Sequence, residues 1–121
     1  MKTIIYHNPR CSKSREALCL LMEEGVDVEI REYLKDTPDE EELTELIRML
    51  NIKPVDLIRK SEDLYKEKYK DKKKSPEEWI KVMVKNPVLI ERPVIVQGTK
   101  AIIGRPPVLI KEFLSDNKSG K

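Results

Sequence analysis

Short apolar runs and amphipathic stretches alternate along this chain in an order that reads strand, helix, strand, then helices, then two strands and a helix. The run "KTIIY" at residues 2–6 has the composition of a core strand. From Val26, "VDVEIREYL" sets Val26, Val28 and Ile30 against Asp27, Glu29 and Arg31, the period-two pattern of a second strand. Between the two, Ala17, Leu18, Leu21 and Met22 recur at helical spacing, and Gly25 is placed to stop that helix. Strand, helix, strand at these lengths predicts a βαβ unit with parallel strands.

The middle of the chain is helical in pattern. "TPDE" from Thr37 has the form of a capping box, with Thr37 as N-cap, Pro38 at the first helical position and Glu40 reaching back. Leu43, Leu46, Ile47 and Leu50 then mark one buried face. Ser75, Pro76 and Glu78 repeat the device before Trp79, Val82 and Met83, and shorter helical turns are expected in "PVDLIRK" and the Lys-rich stretch after it. Near the end, "PVIV" from Pro93 and "AII" from Ala101 flank "QGTK", a hairpin signal. Gly104 and the pair Pro106-Pro107 break the strand before a last amphipathic helix through Leu109, Ile110, Phe113 and Leu114, and "NKSGK" reads as a frayed end. The expected fold is α/β, a thioredoxin-like (glutaredoxin-like) mixed sheet built as βαβ, a helical insertion at about 37–86, then ββα. It is read as one domain over 1–121, with no repeat and no dividing linker.

Composition narrows the class. Hydrophobic residues make up 39% and charged residues 38%, the balance of a globular protein with a heavily solvated surface. The net charge of +2 carries no general affinity for nucleic acid, and the bases that do cluster, "KEKYKDKKK" at 66–74, read as a solvated helix end or loop. No apolar stretch approaches the roughly 20 residues of a membrane span, and "KTIIY" is too short for the core of a signal peptide. The expected location is the cytoplasm, where two cysteines do not make a disulfide framework. Eight residues apart on one helical stretch, Cys11 and Cys19 stand about 12 Å from each other, beyond the roughly 7 Å that a disulfide spans.

The two cysteines differ in setting. Cys19 lies inside the first helix beside Leu18 and Leu20 and is expected to be an inert apolar filler. Cys11, in "HNPRCSK", follows a strand and Pro9 and precedes the helical periodicity, which puts it at a helix N-terminus. Free N–H groups and the helix dipole there favour a thiolate. Arg10, Lys13 and Arg15 add positive charge, and His7 can donate a hydrogen bond. A thiol of pKa about 8.5 is only about 3% ionised at pH 7, whereas one lowered to about 6.5 is roughly three-quarters thiolate. With Ser14 where a second cysteine would resolve a disulfide internally, an oxidised Cys11 needs an external thiol such as glutathione or a redox partner.

The same loop can receive an oxyanion on its N–H groups, although it lacks the glycines of a phosphate loop. A thiolate and a dianion repel, so their reaction requires added positive charge. Arg59, Arg92 and Arg105 each stand at an element boundary, and guanidinium forks suit a tetrahedral oxyanion better than lysines. A surface arginine is the commoner role, and spacing alone does not make the three converge.

Four stretches taken together, "YHNPRCSKSR", "LIRK" at 57–60, "NPVLIERPVIV" at 86–96 and "GRP" at 104–106, resemble the glutaredoxin-coupled arsenate reductase family in order and spacing over nearly the whole chain. The resemblance implies a thioredoxin-like fold with a cis bond before Pro93 as a structural turn. It implies Cys11 as the nucleophile that forms a covalent adduct with arsenate, His7 as the histidine associated with a low thiol pKa, and Ser14 as a hydrogen-bond partner of the thiolate. Arg59, Arg92 and Arg105 match the arginines around the oxyanion. Glutathione is implied as co-substrate and glutaredoxin as the protein that clears the mixed disulfide, with no metal and no bound organic cofactor. Two related branches share the cysteine loop: Spx-type regulators that bind RNA polymerase, from whose Cys-x-x-Cys this chain departs at Ser14, and glutathione-dependent thiol reductases of other substrates.

Overall fold

The computed structural model describes residues 2–106 and 108–120, the side chains of 118–120 excepted; Pro107, paired above with Pro106 as a strand breaker, lies outside them. Backbone packing divides the chain into two compact units, Met1–Tyr33 with Arg92–Lys121, and Leu34–Glu91.

The first unit is built on a four-stranded sheet of order β2-β1-β3-β4, with β1 at Thr3–Tyr6, β2 at Val28–Arg31, β3 at Val94–Gln97 and β4 at Lys100–Ile103. Strand β1 pairs parallel with β2, Ile5 opposite Ile30, and antiparallel with β3, Ile5 opposite Ile95. The β3–β4 hairpin turns through Gly98, whose φ of 64° is the left-handed conformation that glycine adopts without strain. This is the mixed sheet of a thioredoxin-like fold, made as βαβ and then ββα. Helix α1 (Ser12–Glu23) crosses between β1 and β2, and α4 (Val108–Gly120) closes the unit. Ile5, Ala17, Leu21, Ile95, Ile110, Phe113 and Leu114 form its core.

Helix α1 ends in a Schellman motif. Gly25 has φ 74°, its N–H donates to the Met22 carbonyl, and the Val26 N–H donates to Leu21. Cys19 is exposed rather than buried, which corrects the expectation from its neighbours. Two helical positions from buried Ala17 is a rotation of about 200°, so Cys19 faces away from the stripe of Ser14, Ala17 and Leu21. Helix α4 continues to Gly120, into the segment read as frayed, whose Lys121 lies outside the described residues, and the Asn117 amide donates to Gln97 on β3 at 2.9 Å. Strand β2 is an edge, which leaves Ile30 about half exposed despite its place in the alternation.

The second unit packs α2 (Glu40–Leu50) on α3 (Pro76–Lys85) around Leu43, Leu46, Ile47, Trp79, Ile80 and Met83. Helix α3 starts as its sequence implies, with Ser75 and Glu78 exchanging side-chain-to-backbone bonds. Helix α2 starts later than its sequence implies. Asp39, not Thr37, is the N-cap, its carboxylate accepting the Glu42 N–H at 2.8 Å. A charged acceptor at Asp39 faces the positive helix end more favourably than a hydroxyl two residues earlier. A short 3-10 turn at Pro54–Leu57 and a π turn at Tyr65–Tyr69 fill the connection, where Tyr65 packs tilted and Tyr69 edge-on against Trp79. An antiparallel bridge between Ile58 and Ile90 closes the unit, with Arg59 N–H to the Leu89 carbonyl and Glu91 N–H to that of Leu57, both 2.7 Å.

The position of the α2 cap is open to measurement by urea unfolding. Asp39→Ala is expected to cost about 1 kcal/mol and Thr37→Ala only a few tenths. The reverse order would restore Thr37 as the cap.

Candidate active site

Strand β1 delivers the loop that carries the thiol. Beyond Tyr6 the chain stays tied to β2 by the His7 N–H donating to the Arg31 carbonyl at 2.8 Å. It then turns through Pro9 and Arg10, and the turn closes where the Cys11 N–H donates to the Asn8 carbonyl at 3.0 Å. Cys11 is the N-cap of α1, extended at φ −94° and ψ 122°, and half-buried. Its carbonyl accepts the Arg15 N–H, the first bond of the helix, while its sulfur faces the N–H groups that begin it.

Two guanidinium groups reach this sulfur from the far end of the chain. Arg105 donates from Nη2 to Cys11 Sγ at 3.6 Å and from Nε to the Arg92 main-chain carbonyl at 2.6 Å. One planar fork therefore binds the thiol and the backbone that leads into β3. Arg92 is itself buried and hydrogen-bonded to Cys11. The peptide bonds Arg92–Pro93 and Arg105–Pro106 are both cis.

Burial alone raises the Cys11 pKa, but the opposing groups prevail and hold it below the ordinary thiol value. These are the Ser14 backbone N–H, a hydrogen bond from Arg92, the Lys13 backbone N–H and the Arg92 charge. For Arg92, burial disfavours the charge, and Cys11 and Tyr33 more than offset it, so its pKa is raised. Two of the three local cations are occupied elsewhere. Lys13 forms an exposed pair with Glu16, and Arg15 donates to the Pro9 carbonyl at 2.9 Å. The positive charge at the sulfur comes from the distant arginines, not from the bases beside Cys11 in sequence.

Ser14 meets the sulfur through its main chain. Its buried hydroxyl is turned the other way, accepting the Asn8 N–H at 3.0 Å and lying 2.7 Å from His7 Nδ1. With two lone pairs and one proton, the hydroxyl can meet the Asn8 N–H and still pair with either tautomer of a neutral imidazole. That fits a His7 pKa lowered by burial and by Arg15 against the opposing charge of Glu32. His7 is thus packed behind the helix start, linked to the thiol by way of Ser14.

Arg59 belongs to the second unit. Its Nη1 donates to Glu91 Oε1 at 3.0 Å and its Nε to Glu62 Oε2 at 3.3 Å, with all three side chains mostly buried. Within the first unit, Cys11, His7, Ser14, Arg92 and Arg105 form one connected set. Tyr33, fully buried and interacting with Arg92, joins that set with no sequence signal to distinguish it from the other tyrosines.

A thiolate held by oriented N–H groups and two guanidinium forks is a nucleophile prepared for an anionic electrophile. Alkylation of Cys11, followed in a Cys19→Ala background because Cys19 is exposed, is expected to titrate below the ordinary thiol pKa. Arg92→Ala is expected to move that titration up by about one unit, and an unmoved titration would remove the guanidinium from the account. The sign for stability follows from the lowered folded pKa. The thiolate contributes above the unfolded-state pKa, and its contribution is lost as pH falls through the folded value.

Comparison with known proteins places this arrangement. The ArsC family model matches residues 6–113. An uncharacterised protein, YfgD of Escherichia coli strain K12, is 48% identical over 112 residues, 91% of this chain and 94% of that protein. An arsenate reductase of Haemophilus influenzae is 41% identical over 116 residues, 94% of this chain and all of the relative. Among solved structures, a putative arsenate reductase from Yersinia pestis superposes with a TM-score of 0.87 at 42% identity, over 92% of this chain and 99% of the other. An arsenate reductase from Vibrio cholerae gives 0.87 at 41%, over 93% and 97%. With the family model spanning the thiol loop, both cis prolines and the start of α4, the chain belongs to the ArsC family.

Proposed function

We propose that this protein is a thiol-dependent oxidoreductase that reduces arsenate to arsenite, with Cys11 as nucleophile, glutathione as co-substrate and glutaredoxin as the final reductant. The observation that carries the reading is the seat of the Cys11 sulfur, between Arg105 Nη2 at 3.6 Å and the Arg92 guanidinium at the first turn of α1. The relatives named arsenate reductase support the substrate, and Ser14 in place of a resolving cysteine supports an external thiol.

The Cys11 thiolate attacks pentavalent arsenic, a sulfur–arsenic bond forms, and one arsenate oxygen leaves as water with the protons it needs. Glutathione then attacks the Cys11 sulfur. The electron pair of the sulfur–arsenic bond passes to arsenic, which leaves trivalent as arsenite, and Cys11 remains as a mixed disulfide. Glutaredoxin takes the glutathionyl group and returns the Cys11 thiolate. Arg92 and Arg105 neutralise the charge that accumulates when thiolate and oxyanion meet, the step at which repulsion is largest. His7 and Ser14 hold the loop behind the nucleophile. Arg59 matches an arginine of the family motif, and any anion it takes competes with Glu62 and Glu91.

Arsenite formation is expected with arsenate, glutathione and glutaredoxin together, abolished by Cys11→Ser and retained by Cys19→Ala. Wild-type protein inactive at millimolar arsenate with both reductants present would overturn the assignment. Arg92→Ala is expected to weaken arsenate binding about 10-fold or more, the scale of a charge-assisted hydrogen bond. Lys73→Ala, in the exposed basic run, is expected to change it little. Equal effects would shift the binding site to that run.

A further inference from the structure

The Cys11 sulfur faces the Lys13 and Ser14 N–H groups as a capping side chain does, and where it sits over them is set by the turn that precedes it. What precedes it is organised by one residue. Asn8, almost fully buried, uses three polar groups on three different partners. Its side-chain Oδ1 accepts the Arg10 N–H at 3.0 Å, an Asx turn. Its carbonyl accepts the Cys11 N–H at 3.0 Å and closes the turn around Pro9 and Arg10. Its N–H donates to the Ser14 hydroxyl at 3.0 Å and ties the turn to the first turn of α1.

We propose that Asn8 is a positioning residue for the thiol, its side-chain carbonyl fixing the turn that presents the Cys11 sulfur to the start of α1. Asparagine at the first position of a turn with proline at the second is the combination that pre-forms such a turn. Pro9 sets its own backbone angle, and its carbonyl is held by Arg15. Of the three bonds, only the one to Oδ1 is made by the Asn8 side chain, so a substitution at position 8 can remove it alone. Without it the Arg10 N–H must turn toward water, and the short loop loses one of its two internal ties. The sulfur then wanders from the Lys13 and Ser14 N–H groups, whose effect falls off steeply with misalignment. Asn8 touches neither the sulfur nor an oxyanion in this scheme; it acts through the loop.

The inference rests on Cys11 being the reactive thiol but not on arsenate as its substrate, so the test reads the thiol alone. In the Cys19→Ala background, iodoacetamide alkylation against pH is followed for Asn8→Ala, for Asn8→Leu and for Asn8→Ser. Asn8→Leu keeps the branched shape and stands in should the alanine variant not fold. Circular dichroism reports the fold of each. The variants lacking an acceptor are expected to raise the Cys11 pKa by about half a unit or more, the scale of one oriented hydrogen bond. Asn8→Ser, whose hydroxyl takes the same N–H more weakly, is expected to recover at least part of that shift. A melting temperature that falls while the thiol pKa stays in place would overturn the proposal and leave Asn8 merely structural. Serine shifting the pKa as far as alanine would also overturn it. A wild-type pKa at the ordinary thiol value would strike down this inference and the nucleophile together, whereas a lowered wild-type value that the variants do not move counts against Asn8 alone.

Discussion

A sulfur anion half sunk in a protein persists only where oriented donors meet it, and the donors that meet Cys11 come from opposite ends of the chain. The N–H groups of Lys13 and Ser14 lie beside it in sequence, whereas Arg105, whose Nη2 stands 3.6 Å from the sulfur, is 94 residues away. Burial works against the thiolate, so each donor must be held in place by something other than the sulfur it serves. The sheet of the first unit does this. The end of β1 carries the thiol, the backbone leading into β3 carries Arg92, and the segment after β4 carries Arg105. The adjacency of β1, β3 and β4 therefore decides whether the loop is a reactive thiol or a site.

Arg105 couples two of these elements directly. Its Nε bond to the Arg92 carbonyl and its Nη2 bond to the thiol use two edges of one rigid plane. A displacement of the backbone at the Arg92–Pro93 bond is thereby felt at the sulfur. Lysine has no second edge, so a change to lysine at 105 would keep the charge and lose the coupling. Behind the thiol the opposite design holds. His7, Asn8 and Ser14 are buried, neutral and bonded to one another, which stiffens the loop without placing a competing charge near the anion.

Much of this was legible in the residues. The βαβ start, the hairpin around Gly98, the capping box at Ser75 and the stop at Gly25 follow from local rules that two or three neighbouring residues satisfy by themselves. The departures share a cause. Thr37 and Asp39 both cap well, and it is the Asp39 carboxylate that meets the Glu42 N–H. Cys19 sits among leucines in sequence but on the opposite side of α1 from the core, and Ile30 keeps strand alternation on an edge with no neighbour to bury it. The bases near Cys11 suggested the source of its low pKa, yet Arg15 bonds the Pro9 carbonyl and Lys13 pairs with Glu16.

By itself the sequence determined that a cysteine would stand at the start of a helix after a β-strand, because strand period, turn residues and helix period are all short-range properties of the chain. It also named three arginines able to serve an oxyanion. Only the tertiary structure decided that Arg92 and Arg105 converge on the sulfur, that Arg59 is held by Glu62 and Glu91, and that Ser14 turns its hydroxyl to His7 while its N–H faces the thiol. Those are choices among partners of equal chemical merit. A guanidinium bonds whichever anion the fold brings within reach, and that distance is set by strand order and core packing rather than by the residue's own nature.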